Sequence, residues 1–418
     1  ETGQLAANER LPPQRELAYA LGVNLSTVAR AMAEATKRGL IAGEVGRGTY
    51  VLPESPAAQL FQHTMTRRYT IDLSTISPPD IDSDLLLNAL RLSPMTAVQS
   101  VLGYPSPDLL EQAQDAVLQW LDWRGLRIAD GAIVLTAGAH AALQSLLSIL
   151  VLPGETVLTE EFTFPGIKTL TRLAGIRLHG VPCDAQGLLP EALELAVRAT
   201  GARVLVAVPN MQNPTAAIMG AQRRAEIAEV ITRTGLTLVE DDIYATYAGM
   251  PPLLSQLEGD HICISSLSKS VAPALRFGFL TGRHKAVKTL ANEVAMTSWF
   301  ASPVTLAAGI RLITSGAAMS EAARQRTEVQ RRWQQVLDIF PEAPRIPATH
   351  MWLRVNDSAG YCTAARANNV SVIPSEFFAV GRASDASIRC SITATKDNET
   401  LAEGLEVLRK LGARFPAD

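Results

Sequence analysis

Apolar positions between residues 11 and 38 recur at helical spacing in two short runs. In QRELAYAL, Leu17, Ala18 and Leu21 follow Pro12 and Pro13 at that spacing, and Gly22 stops the run. A second run reaches about Arg38 with Val28, Met32 and Ala35 on one face; Asn24 or Ser26 can cap its start, and Gly39 signals its end. Two short helices joined around a glycine make a helix-turn-helix. LIAGEVGRGTYVLP then alternates with the period of a strand about the turn Gly46-Arg47-Gly48, which predicts a two-stranded wing. Residues 53–70 hold two prolines and no clean period, so they read as a linker between residues 1–52 and 71–418.

From Ile71 the pattern changes to short β-rich runs separated by Ala- and Leu-rich helical ones. The runs lie at 132–136, 156–160, 176–181, 203–208, 236–240, 261–266 and 276–280. Such alternation predicts an α/β unit, a largely parallel sheet covered on both faces. After about Trp299 come long helices, then WLRV (352–355), SVI (371–373) and SIRCSI (387–392), which suit a smaller α+β subdomain.

Composition narrows the class. A chain of 418 residues exceeds one ordinary core, so a small and a large unit are expected, and 47% hydrophobic with 19% charged residues is a globular balance. The net charge of −3 gives no overall attraction for nucleic acid, so any DNA contact must come from a local surface. Residues 1–52 hold six Arg or Lys against five Glu, which is thin for one copy and favours paired heads. Cys183, Cys263, Cys362 and Cys390 show no ligand spacing and read as thiols of a reducing compartment. The apolar stretch from Ala139 to Leu152 is interrupted by His140, Gln144, Ser145 and Ser148 and cannot span a bilayer, and no secretory signal stands out, so a cytoplasmic protein is expected. A start at Glu1 suggests an incomplete N-terminus. His63, His179, His261, His284 and His350 lack metal-ligand spacing, and RQRTEVQRR (324–332) reads as a solvated helix face with glutamate partners.

The sharpest chemical signal is SSLSKSVAPALRFG, residues 265–278. Lys269, just past a buried strand and seven residues before Arg276, suits a nucleophilic amine beside an anion site to which Ser266, Ser268 and Arg276 contribute. Asn213 follows the run 203–208, while Asp241 and Tyr244 follow the run 236–240. Sites in open α/β sheets form at the carboxyl ends of strands, so these residues should converge with Lys269. In TAGAHAALQSLL, backbone N–H groups of Gly138, Ala139 and His140 can receive a phosphate at a helix N-terminus. Phe164 in FTFPG could stack on a ring.

SxSKxxxPxLRxG, NPT, the DxxY pair and IRCSI together resemble the fold-type I pyridoxal-phosphate (PLP) enzymes of the class I and II aminotransferases over about residues 71–415. Residues 11–51 resemble the winged helix of GntR-type regulators, and the fusion is similar to the MocR branch of that family. The resemblance implies an internal aldimine on Lys269, with Asp241 facing the pyridine nitrogen and Asn213 and Tyr244 donating to the ring's phenolate oxygen. Ser266, Ser268, Arg276 and the 138–140 turn would hold the phosphate, Phe164 would stack, and Arg389 would take the carboxylate of an amino-acid ligand. Tyr104 matches a position that reaches the phosphate of a second subunit, which implies a homodimer. Arg15, Asn24, Ser26, Thr27, Arg30 and Arg47 match DNA-contacting positions, so double-stranded operator DNA is the implied partner and an amine or amino acid the implied effector. The chain departs from the family where Ala216 replaces a common Gly, where Pro105-Ser106-Pro107 replaces a Gly-bearing turn, where His140 replaces a frequent Gln, and where LSTISPPD lacks a Gly. Leu25 and Ala29 fall where GntR relatives often have Arg. These departures weigh toward a sensor with at most partial transaminase activity; the alternative is a working amino-acid aminotransferase.

Overall fold

The computed structural model describes residues 5, 9–37, 40–44, 48–51, 71–91, 102–127, 131–293, 301–381 and 383–416. In the N-terminal part, β1 (Arg10–Leu11) precedes α1 (Gln14–Leu21), α2 (Leu25–Lys37), β2 (Ile41–Glu44) and β3 (Gly48–Val51). Gly22 caps α1 in the left-handed conformation, its N–H reaching Ala18 O and Tyr19 O. Asn24 opens α2, its carbonyl accepting from Thr27 and Val28 N–H. Ala18 and Val28 are buried and Met32 and Ala35 half-buried, but Leu21 is 66% exposed, so the apolar stripe of α1 is narrower than its spacing suggested. The wing also gains a strand: β1 pairs with β3, giving the order β1-β3-β2. Two residues are too few to carry a period, so this strand left no sequence signal. Arg47 and the expected linker lie outside the described residues.

The second part opens with β4 (Ile71–Asp72), α3 (Ser83–Leu90) and α4 (Pro107–Trp123). Strands and helices then alternate: β5 (Ala132–Ala137), α5 (Ala139–Leu150), β6 (Thr156–Glu160), α6 (Pro165–Leu173), β7 (Arg177–Val181), the hairpin β8–β9 (Cys183–Asp184, Gly187–Leu188), α7 (Pro190–Thr200), β10 (Val204–Ala207), α8 (Ala221–Thr234), β11 (Thr237–Asp241), α9 (Ala245–Ala248), β12 (Ile262–Ser266) and β13 (Phe277–Gly282). Seven of these strands form one sheet, β5-β13-β12-β11-β10-β6-β7, parallel except for β13. Neighbouring strand residues feed opposite cores. Val204, Val206 and Val239 pack with Leu143, Leu147 and Ile167, while Leu205, Ala207 and Leu238 pack with Leu193, Ile227 and Ile231. Burial on both faces is why these strands read as continuous apolar runs.

The chain continues through α10 (Lys285–Asn292), α11 (Pro303–Thr314) and the long α12 (Ala317–Ile339). The smaller subdomain holds β14 (His350–Arg354), α13 (Ser358–Ala367), β15 (Val370–Ser371), β16 (Ile373–Pro374), β17 (Ser387–Ser391) and α14 (Asn398–Gly412). SVI thus splits: β15 pairs with β4, whereas β16 joins the antiparallel sheet β14-β17-β16. Trp333 and Val336 of α12 pack with Met351, Ile388, Cys390 and Leu405. The Arg-rich stretch of α12 is only partly solvated. Arg331 pairs with Glu328 at the surface, but Arg332 is buried and donates to Ile392 O, Thr395 O and Thr395 Oγ1 at 3.0–3.1 Å. It ties α12 to the segment after β17.

Candidate functional site

The residues singled out in the second part gather at the carboxyl ends of β11, β12 and β10, with the β5–α5 and β6–α6 turns beside them. Lys269 follows β12, and its Nζ donates to Ile76 O at 2.6 Å; its backbone carbonyl accepts from Tyr247 Oη at 2.5 Å. Burial, with help from Arg389 and Arg276, lowers the amine to about 8, and only Asp241 works against the shift. A primary amine with that value has a sizeable uncharged, nucleophilic fraction near neutrality.

Asp241 ends β11, and in extended backbone its successor must point the other way. Its carboxylate has one hydrogen bond, from Ile243 N–H at 3.3 Å, and burial raises it to about 7 against that bond and the Lys269 charge. Asp242 instead accepts from Asn210 Nδ2 at 2.8 Å and lies 3.8 Å from Arg124 Nη2. Asn210 in turn accepts from the buried Arg224 at 2.6 Å, so Asp242 belongs to a closed internal network.

Asn213 lies six residues beyond β10, joined to Pro214 by a cis peptide. Its Oδ1 accepts from Arg389 Nη1 at 2.8 Å, which leaves Nδ2 to donate. Arg389, on β17, is buried with its guanidinium 4.8 Å from the Phe378 ring centroid, and it also donates to Ser74 O. Burial brings it down to about 10, and its Nε has no partner. Tyr244 is buried, its hydroxyl pushed above the ordinary range by desolvation while Arg389 pulls the other way.

At the other end, Ser266 Oγ accepts from Ser268 N–H at 3.3 Å, and the Ser268 hydroxyl is sealed from water without a partner. Arg276, expected at a strand start, instead sits just before β13 with φ +47° and donates to Ala137 O at 3.0 Å. Gly138 has φ +91°, which any other residue adopts only with strain, and a Cβ there would come within 2.8 Å of Arg276 Cζ, so a larger residue would also push the guanidinium aside. Its N–H, however, goes to Thr136 O at 2.8 Å. Gly138 therefore contributes space rather than a donor, a correction to the expectation, and Ala139 and His140 supply the N–H groups of the first turn of α5. His140 meets Phe164 edge-on at 5.9 Å, and burial followed by Arg276 lowers its imidazole. Tyr104 is 72% exposed in the turn before α4.

Three features went unforeseen. The segment 73–77, within the LSTISPPD stretch that lacks a Gly, lies over the cluster and caps both Lys269 and Arg389 with its carbonyls. His350 lies 6.1 Å from Tyr244, bonded at both ring nitrogens to Thr349 Oγ1 and Gln212 O and driven to about 3 by burial. It is a neutral core histidine that shapes the site. Ala216, after the NPT triplet, takes φ +60°, the conformation a glycine would adopt without cost. In the N-terminal part Arg15, Asn24, Ser26, Thr27 and Arg30 are all exposed.

The donor set fits a phosphorylated pyridine aldehyde: an uncharged-prone amine, a buried carboxylate with an almost unused acceptor set, an unpartnered hydroxyl, and a guanidinium over a glycine. Residues 70–408 match the class I and II aminotransferases. The chain belongs to that family. Residues 1–51 match the gntR family of bacterial regulatory proteins, so a GntR helix-turn-helix is fused to an aminotransferase-class domain, the arrangement of MocR-type transcription regulators. The HTH-type transcriptional regulator YdeF of Bacillus subtilis is 26% identical over 98% of this chain and 91% of its own. The vitamin B6 salvage pathway transcriptional repressor PtsJ of Salmonella typhimurium is 32% identical over 66% of this chain and 64% of its own. An archaeal alanine:glyoxylate aminotransferase superposes with TM-score 0.77 at 18% identity, covering 87% of this chain and 96% of that one. The aminotransferase-like domain is thus of fold type I, and the cofactor of its family is PLP.

Proposed function

We propose that this GntR-type regulator, divided into a DNA-binding head (1–52), a linker (53–70) and a PLP domain (71–418), reads an amine or amino acid at its aminotransferase-like site. It passes that state to operator DNA as a cytoplasmic homodimer. The reading rests above all on the convergence of Lys269, Asp241, Asn213, Tyr244 and Arg389, with Ser268 Oγ and Arg389 Nε still in want of partners. Bound PLP supplies an aldehyde for a primary amine and, with its ring nitrogen protonated, draws electrons from that amine's Cα. Lys269 Nζ would hold the cofactor, and Ile76 O would release it to do so. Asp241 keeps a proton on the ring nitrogen; without that cation it is a buried charge with one hydrogen bond. Asn213 Nδ2 and Tyr244 Oη donate to the ring oxygen, and Phe164 stacks on the ring. Ser266, Ser268, Arg276 and the Ala139 and His140 N–H groups hold the phosphate, with Tyr104 of a second copy reaching the same place. Arg389 has a fork free for the carboxylate of an amino-acid effector once Ser74 O gives way.

DNA contact falls to Arg15 and Arg47 on phosphates and to Asn24, Ser26, Thr27 and Arg30 about the start of α2, which would enter the major groove. The test is gel-shift binding of the full chain to DNA upstream of its own gene, with and without PLP and a panel of amines. Sequence-specific binding that changes with ligand supports the reading, and Arg15→Ala should lower affinity across sequences while Ser26→Ala changes the preferred one. One observation favours a working aminotransferase instead: Lys269 Nζ, lowered to about 8 by burial, would be able to take up a proton near neutral pH. Absence of specific DNA binding together with turnover of an amino acid and a keto acid at ~1–10³ per second would decide for that alternative.

A further inference from the structure

Behind Asp242, the end of α4, the turn after α9 and the flank of α12 enclose a cleft of about 620 Å³. Its charged lining is cationic: Arg124 and Arg326 line it, and no carboxylate among the described residues does. Arg124 is nine-tenths buried; its Nη2 donates to Met250 O at 2.8 Å and lies 3.8 Å from Asp242, while its Nε, sealed from water, has no partner. Thr246 also lines the cleft, 7% exposed, and its hydroxyl is unpartnered too. Arg326 has neither an ion pair nor a hydrogen bond among the described residues. Its guanidinium lies against Gly249, where φ is +68° and a Cβ would come within 2.5 Å of Nη2. Trp123 stands at the edge, 43% exposed. Two guanidiniums on either side of the 249–250 turn, one of them without a partner among the described residues, and an aromatic edge give the cleft a positive lining that favours an anion.

We propose that this cleft is a second ligand site, distinct from the PLP site, that takes a small phosphate- or carboxylate-bearing metabolite. Its occupant accepts from Arg326 and from the guanidinium of Arg124. In drawing on Arg124 it weakens the countercharge of Asp242, one residue from Asp241, so occupancy is felt at the cofactor. That last step rests on the cofactor reading above; the binding does not.

Full-length protein saturated with PLP, so that the cofactor's phosphate cradle is filled, is titrated calorimetrically with inorganic phosphate and, separately, with succinate. Ionic strength is held constant with chloride. Saturable binding of at least one of them is expected, weakened about tenfold by Arg326→Gln, as loss of a charge-assisted hydrogen bond requires. No saturable binding of either anion, or equal affinity in wild type and Arg326→Gln, overturns the proposal. Binding abolished by Arg276→Gln but kept in Arg326→Gln also overturns it, because the anion then occupies the cofactor's cradle and the PLP reading alone survives. The coupling is read from the pH midpoint of the bound cofactor's visible band: a shift with anion in wild type that is absent in Arg326→Gln is expected. A constant midpoint overturns the link through Asp242.

Discussion

Asparagine at Asp241 and at Asp242, introduced separately, should be told apart by stability without cofactor and by affinity for PLP. Asp241 is held at about 7 against an ordinary 3.8, a rise caused first by burial. An acid whose folded pKa is raised binds its proton more tightly when folded, so stability is lost as pH climbs from about 4 to about 7 and stays reduced above. At 1.36 kcal/mol per pKa unit, the ionised carboxylate costs the cofactor-free fold up to about 4 kcal/mol at pH 8. Asp241→Asn removes that cost, so the cofactor-free variant should melt above wild type at pH 8, with the advantage shrinking toward pH 5. Its affinity for PLP should fall, since the ring nitrogen loses a buried charge partner worth ~3–5 kcal/mol. Asp242→Asn withdraws the carboxylate that faces Arg124 and accepts from Asn210, leaving the nearby buried Arg224 with less countercharge. Burial raises Asp242 as well, to about 6, against Arg124, Asn210 and Arg224, so the lost contacts are partly offset by relief of its own buried charge, and this variant should gain less stability at pH 8 than Asp241→Asn, with or without cofactor. Thermal unfolding at pH 6 and 8, paired with absorbance titration of PLP, measures both. If Asp241→Asn melts below wild type without cofactor, or if Asp242→Asn is the variant with the greater loss of PLP affinity at matched stability, the assignment is one residue out of register.

Lys269→Ala should abolish the visible band of the PLP-loaded protein and any borohydride-reducible link to cofactor; a link that survives in the variant rules out Lys269 as its attachment point. Arg389→Gln should keep PLP binding but cut the spectral response to amino acids at least tenfold relative to simple amines, a loss of the charge-assisted carboxylate contact; equal losses for both ligand classes would refute its assignment to the carboxylate. Ala216→Gly should leave the fold at least as stable, because relief of a left-handed non-glycine, about 1–2 kcal/mol, offsets about 0.4–1 kcal/mol of added unfolded-chain entropy. A clear fall in melting temperature would show that Ala216 packs in a way that outweighs its backbone.

What the sequence revealed follows from which interactions leave a period. The seven strands of the large sheet were legible because burial on both faces makes each an unbroken apolar run, and their ends singled out Lys269, Asp241 and Asn213 as candidates because open α/β sheets build sites there. Interactions between distant segments leave no such trace. The two-residue β1, the carbonyls of Ser74 and Ile76 over Arg389 and Lys269, and the inward turn of Arg332 depend on partners 40 to more than 300 positions away. Arg332 shows the difficulty most plainly: beside Arg331 and Glu328 it reads as one more surface charge, yet a step of about 100° around the helix is enough to carry its neighbour's solvated role into the core. The same logic accounts for the departures from the family pattern. Ala216 in a glycine's conformation costs a kcal/mol or two locally, and the surrounding Gln212–Thr215 hydrogen bonds and Arg389–Asn213 contact hold the loop there regardless. The contacts around Ala216, rather than its own preference, set this backbone, which is why the residue stands in a conformation a glycine takes without cost.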